Sequence, residues 1–285
     1  MLAAADIALE RLNVLLPAAG ALVIAGLITD IFLLARLLVR PPDFPAVARR
    51  LLSRPWTWQD LGLVTVVFLF TRLVLQLMVE TGRNAGLELL FTDPFIMIVL
   101  MVAVIHAPVL LTVSVLARLG SRSLETCFET RDRPLGSAAV HGIVYCVASY
   151  PAVLAVSYFY VLFLNSQGIE PLPHPLIKVL QAIPVKDSRI LPLVISAVIT
   201  GPLAEEFLFR GIALPVFSKR LGPVWAIVVV SLLFAALHPL TLLVPMFVLS
   251  LGLCLACAAT GSITVSVVMH AMFNLISIAI TIVSS

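Results

Sequence analysis

Charged residues are scarce in this chain: 12% of its 285 residues are Asp, Glu, Lys or Arg, 61% are hydrophobic, and the mean hydropathy is +1.13. A soluble domain normally carries about 25% charged residues to cover its surface, so a soluble fold is excluded. Net charge is also low, +3. The basic residues sit mostly between apolar runs, where they act as topology signals and build no nucleic-acid surface. Cysteine is sparse, with four residues. The pair Cys254 and Cys257 lies in the uniformly apolar stretch LGLCLACAAT, where small thiols pack against neighbouring helices, which disfavours a redox or metal role. The chain has no internal repeat and no low-complexity segment. It also lacks a cleavable signal pattern: Asp6, Glu10 and Arg11 occupy the first stretch, and the run Val14 to Val39 is too long for a signal core. G-x-S-x-G, H-E-x-x-H, an intramembrane Ser–Lys pair and an intramembrane Asp pair are all missing, and with them the hydrolase chemistries they carry.

What the chain has in abundance is apolar runs of bilayer length. Eight are expected, over about residues 14–39, 61–80, 95–117, 137–164, 189–217, 223–238, 240–259 and 262–283. The expected fold is therefore all-α, a polytopic membrane helix bundle. Residues 1–136 would form N-terminal transmembrane helices with cytoplasmic loops, and residues 137–285 a C-terminal core. Pro- and Arg-rich connections such as RPPDFPAVARRLLSRP cannot continue a membrane helix. Lys and Arg gather in the loops after the first, third and fifth runs, which places those loops in the cytoplasm and both termini outside. The longest exterior connection, SQGIEPLPHPLIKVLQAIPVKDSR, reads either as a plain linker or as a lid whose segment LIKVLQAI lies flat at the interface.

Ionisable side chains inside membrane spans are expensive and mark candidate sites. Here they concentrate in the last four runs. EEFLFR supplies Glu205, Glu206 and Arg210, FAALH supplies Phe234 and His238, and HAMFN supplies His270 and Asn274. Residues four apart share a helix face, so Arg210 is expected to neutralise Glu206. Glu205, about 100° around the helix, would then face another partner, with His238 at its own depth on the next helix. Gly201-Pro202 suggests a helix restart capped by Thr200 or Gly201, which would put both glutamates in its opening turns. Of the other buried polar groups, Asp30, Arg72, Gln76 and His106 read as interhelical bonding partners or cavity lining. A carboxylate and an imidazole can hold and deprotonate a water, while a second His and an Asn amide can donate to an oxyanion.

With these motifs in this order and spacing, the last third of the chain resembles the type II CAAX prenyl endopeptidases, the CAAX-protease and bacteriocin-processing family of intramembrane proteases. Their E-E-x-x-x-R, F-x-x-x-H and H-x-x-x-N motifs stand here as EEFLFR, FAALH and HAMFN. The resemblance implies that Glu205 activates water and His238 helps to hold it. His270 and Asn274 would polarise the scissile carbonyl, with Glu206, Arg210 and Phe234 in support. A metal-free, glutamate-dependent mechanism is expected; the alternative is a zinc ion on Glu205, His238 and His270 with an open position. The implied partners are the lipid bilayer and a peptide or membrane-protein substrate, prenylated substrates being one class. The expected location is a cell membrane, bacterial or archaeal ahead of the endoplasmic reticulum. Two rival readings remain open at this point, a non-enzymatic scaffold or immunity protein and a proton-coupled transporter.

Overall fold

The computed structural model describes residues 2–40, 43–87, 91, 93–120, 123–128, 134–171, 175–184 and 187–284. Their regular structure is helical throughout. We number the helices α1 (Leu2–Val39), α2 (Phe44–Ser53), α3 (Trp58–Asn84), α4 (Phe95–Leu119), α5 (Leu124–Phe128), α6 (Leu135–Ser166), α7 (Pro175–Ala182), α8 (190–221), α9 (223–236), α10 (Leu243–Thr260) and α11 (Ile263–Ser284).

Among the described residues, seven continuous helical stretches are long and apolar enough to cross a membrane. The fifth, Ile190–Ala236, runs for 47 residues, about twice what one crossing needs. Its chain reverses at Gly222, whose φ of 76° and ψ of 161° are non-helical and suit a residue without a Cβ. Pro223 then opens α9 at a position where its missing N–H costs nothing. The bundle thus has about eight crossing rods, and the protein is a multi-pass integral membrane protein. Large apolar side chains such as Ile31, Phe70, Leu111 and Trp225 are more than 60% exposed, as a lipid-facing belt requires.

The central rods are α6, α8, α9, α10 and α11, with α3 and α4 laid against α8 and α1 against α6. Leu61, Val64 and Phe68 of α3 and Val109 and Val113 of α4 join Leu208 and Ile212 of α8 and Val230 and Phe234 of α9 in one core. The two halves of the chain therefore share packing. Small residues allow the closest approaches: a Cβ on Gly142 of α6 would stand 2.7 Å from Val268 of α11, and such contacts hold membrane helices together.

Two connections contain structure that composition alone did not show. Part of RPPDFPAVARRLLSRP folds as α2, begun by Asp43, whose carboxylate accepts from the Ala46 N–H at 3.0 Å. Beyond it, buried Arg54 donates to the carbonyls of Cys127 at 3.0 Å and Gly261 at 2.7 Å. Lys219 Nζ closes the same knot on the carbonyls of Arg54 and Trp56, each at 2.7 Å. Arg54→Ala is expected to destabilise the protein by about 3 kcal/mol, since it leaves buried carbonyls without a charged donor. Thermal unfolding in detergent measures this, and Arg54→Lys should restore only part of the loss because an ammonium lacks the fork.

In the long connection between α6 and α8, residues 172–174 and 185–186 lie outside the described residues. Its LIKVLQAI segment falls in α7, which docks on α11 through Leu180, buried with Ile98, Leu193 and Ile278. At the same end Arg189 pairs with Asp187 at 2.6 Å and Asp93 at 3.2 Å, clamping the start of α8 to that of α4. Hydrogen bonds from Arg189 hold the Asp187 carboxyl down to about 2, from 3.8. A depressed carboxylate stabilises above its unfolded value and loses that contribution as pH falls through its folded one. The Asp187–Arg189 pair should therefore hold above about pH 4 and loosen toward about pH 2, freeing the Arg189 side chain from the anchor that aims it at Asp93; this is read as a growing distance between spin labels at the Asp93 end of α4 and the start of α8.

Candidate active site

The segment that carries both glutamates is a short α-helical stretch, Gly201–Glu206, between two wide π turns, Ser196–Thr200 and Phe207–Ala213. Such turns insert a residue and re-aim the side chains that follow, and they recur at functional sites. The sequence-based expectation of a helix restart at Gly201-Pro202 is corrected here. Thr200 has helical φ and ψ, and its side chain caps nothing. The helix instead widens, with the Gly201 N–H reaching back to the Ser196 carbonyl. Continuing that register, Pro202 would have to donate to Ala197, and proline has no N–H. Asn274 of α11 fills the place, its Nδ2 donating to the Ala197 carbonyl at 2.8 Å.

Glu206 and Arg210 are fully enclosed, with side chains 0% exposed and Arg210 Nη1 donating to Glu206 Oε1 at 2.7 Å. The expected pair is present, but it is not self-contained. Arg210 Nη2 also donates to the Ser250 carbonyl at 3.1 Å and to its hydroxyl at 2.5 Å on α10. Glu206 Oε1 also accepts from His270 Nδ1 of α11 at 3.0 Å. The pair therefore fixes the imidazole. With Nδ1–H committed to a carboxylate, which only accepts, the other ring nitrogen is turned outward.

Outward lies Glu205. Its Oε2 stands 3.9 Å from His270 Nε2, and its side chain is 31% exposed. This difference separates adjacent carboxylates into two jobs: the enclosed one holds a side chain, and the half-open one can be reached. A gap of 3.9 Å is too long for a direct hydrogen bond and suits a shared intermediary. An imidazole within 4 Å of Glu205 is that of His270, a neighbour that the sequence expectation, which set His238 opposite Glu205, did not name. His238 is half-buried at the end of α9, its Nδ1 directed to the Phe234 carbonyl at 3.0 Å.

Phe234 is the hub of the cluster. Its ring centroid lies 4.9 Å from that of His238, 5.8 Å edge-on from His270 and 5.2 Å from Phe209. The Arg210 guanidinium lies 4.7 Å over its face, a cation–π contact that offsets part of the cost of burying the charge. Residues from α8, α9 and α11 meet around this ring.

A family model covers this part of the chain. Residues 187–276 match Type II CAAX prenyl endopeptidase Rce1-like. The matched region is roughly a third of the chain; it begins at the Asp187–Arg189 clamp and ends just beyond Asn274, so it holds every motif residue of the Rce1-like cluster. Searches of curated proteins and of solved structures found no match.

A zinc ion in the Rce1-like region would require Glu205, His238 and His270 as donors. Among the described residues no group of three or more His, Cys, Asp and Glu side chains could hold a metal ion. Nδ1 of each histidine is anchored, on Glu206 and on the Phe234 carbonyl, which leaves Nε2 as the atom a metal would use; as placed, the three side chains are not gathered around one point. Cys254 and Cys257 are free, buried thiols, and the Cys254 sulfur accepts from the Ser231 hydroxyl at 3.6 Å.

Several participants carry no sequence motif. Ser250 sits in an unbroken apolar run, and the Ala197 carbonyl is a backbone atom exposed by a wide turn. Of the remaining polar positions, Asp30, Arg72 and Gln76 are exposed, with Arg72 over the Phe68 ring of its own helix at 5.6 Å. His106 makes an interhelical bond to Thr200 Oγ1 at 3.0 Å.

Proposed function

We propose that this protein is an intramembrane endopeptidase that hydrolyses a peptide bond near or within the bilayer by a glutamate-activated water. The Rce1-like match supports peptidase activity of the CAAX-protease type. The observation that carries the finer reading is the half-open Glu205 beside an enclosed Glu206–Arg210 pair that presents His270 Nε2 to it across 3.9 Å.

In this reading a water between Glu205 and the histidines gives its proton to the Glu205 carboxylate as its oxygen attacks the scissile carbonyl. The tetrahedral intermediate carries the charge on the former carbonyl oxygen. His270 donates to that oxygen from Nε2 in its imidazolium form, since Nδ1–H is spent on Glu206. Asn274 donates with its second amide hydrogen, the first being held by Ala197. Collapse breaks the C–N bond, and Glu205 returns its proton to the leaving amine. His238, packed on Phe234, helps to hold the water. The substrate is a peptide or membrane-protein segment, and a prenylated C-terminal peptide is one member of the class. Both termini of the chain lie outside.

The test compares purified wild type with Glu205→Ala on a panel of quenched fluorescent peptides with and without a prenylated cysteine. Products are identified by mass, with and without a strong chelator. Cleavage by the wild type alone, unaffected by chelator, is the expected result. Equal cleavage by both proteins would sink the assignment of Glu205, and chelator loss reversed by zinc would replace the metal-free mechanism.

A further inference from the structure

We propose that Arg72 of α3, outside the matched family region, is a substrate-binding residue that takes a carboxylate of the peptide at the level of Glu205. The inference rests on the peptidase reading above.

An arginine in the middle of a membrane span calls for an anion or for water. Arg72 stands about 21 Å along α3 from Trp58 and about 18 Å from Asn84, the two ends of the helix. Both are farther than its side chain can snorkel toward a lipid phosphate. The residue is exposed, and its guanidinium lies 5.6 Å from the centre of the Phe68 ring. No carboxylate among the described residues pairs with it. Gln76, also exposed, presents an amide to the same face one turn on.

The level of Arg72 against the site follows from one contact. Trp58 meets Phe217 of α8 edge-on, with ring centroids 5.0 Å apart. Counted from there, Arg72 lies about 21 Å up α3 and Glu205 about 18 Å up α8. The two helices are neighbours, α3 lying against Phe207–Ala213.

The rotation of α3 agrees. At 100° per residue, Arg72 stands about 50° from the centre of the buried stripe of Leu61, Val64, Phe68 and Leu75. Leu208 and Phe209, one turn after Glu205, belong to the core that this stripe enters. Arg72 therefore flanks the seam between α3 and α8 at the depth of the half-open carboxylate. Packed helix axes lie about 8–10 Å apart, so a peptide whose scissile carbonyl meets Glu205 passes within reach of the guanidinium. Its planar fork matches a carboxylate in two hydrogen bonds.

The test uses peptides cleaved by the wild type in three forms: a free C-terminal acid, its C-terminal amide, and the amide with a glutamate placed beyond the scissile bond. Arg72 is expected to raise kcat/KM about tenfold for a carboxylate-bearing form over the plain amide, through KM, the size of one hydrogen bond to a charged group. In Arg72→Gln that ratio should fall to about one, with cleavage of the plain amide unchanged and the melting temperature that of the wild type. Arg72→Lys should keep part of the preference. Which form gains, the acid or the glutamate peptide, identifies the source of the carboxylate. An acid-to-amide and glutamate-to-amide ratio that is the same in wild type and Arg72→Gln overturns the proposal, as does an equal loss on all three forms. Fluorescence anisotropy of the same labelled peptides, read in the Glu205→Gln background with and without Arg72→Gln, needs no turnover. If the wild type cleaves none of the peptides, the peptidase reading fails, and tighter binding of the carboxylate forms that depends on Arg72 still decides whether this site exists.

Discussion

Glu206→Ala is expected to destabilise the folded bundle by about 3–5 kcal/mol, because it strands a buried arginine charge without its partner. The Arg210 side chain is 0% exposed and pairs with Glu206 at 2.7 Å. Its remaining hydrogen bonds go to Ser250, which is neutral, and no water can replace the carboxylate there. The same substitution removes the acceptor of His270 Nδ1, so any protein that still folds should also lose activity. Removing both charges with Glu206→Gln and Arg210→Met should cost less than Glu206→Ala alone, as replacing a whole buried pair avoids the stranded charge. Thermal unfolding in detergent of the single and double variants closes the cycle. A Glu206→Ala protein that melts with the wild type would show that the pair does not hold these helices together.

Glu205→Gln should behave in the opposite way, folding normally and failing to turn over. The side chain is 31% exposed and is not the partner of Arg210, so a neutral isostere leaves no buried charge behind. The amide cannot take a proton from water, and loss of a general base lowers rates by about 10²–10⁴-fold. The expected result is a melting temperature within error of the wild type and a kcat reduced on that scale. Adjacent glutamates would thereby be divided experimentally into one that holds the fold and one that turns over substrate. If both variants lose stability and activity together, that division is wrong.

Much of the architecture was legible from hydropathy. The eight apolar runs each coincide with a helix or, at Gly222, with one side of a reversal inside a 47-residue stretch. This works because lipid leaves backbone polar groups no alternative to internal hydrogen bonds, so apolar length translates directly into helix. The Glu206–Arg210 pair was legible for a similarly local reason, four-residue spacing on one helix face. Where the reading missed, the missing information was longer-ranged or depended on the exact helical register. The Gly201-Pro202 pair signals a disturbed helix, but whether it restarts or widens depends on what can satisfy the Ala197 carbonyl. Asn274, 77 residues later, does so.

The sequence by itself therefore determined that the chain is a bundle of membrane helices, which residues are too polar to be there without purpose, and which motif family they resemble. Periodicity and the cost of charge in lipid are both properties of short segments, which is why they can be read in one dimension. Only the tertiary structure decided how those residues divide their work. It turned the His270 ring to Glu206 by one nitrogen and to Glu205 by the other, brought Ser250 to Arg210, and laid the first half of the chain against the site so that His106 meets the helix of Glu205. Each of those depends on the rotation and depth of one helix against another, set by packing across α3, α4, α8, α9, α10 and α11 together.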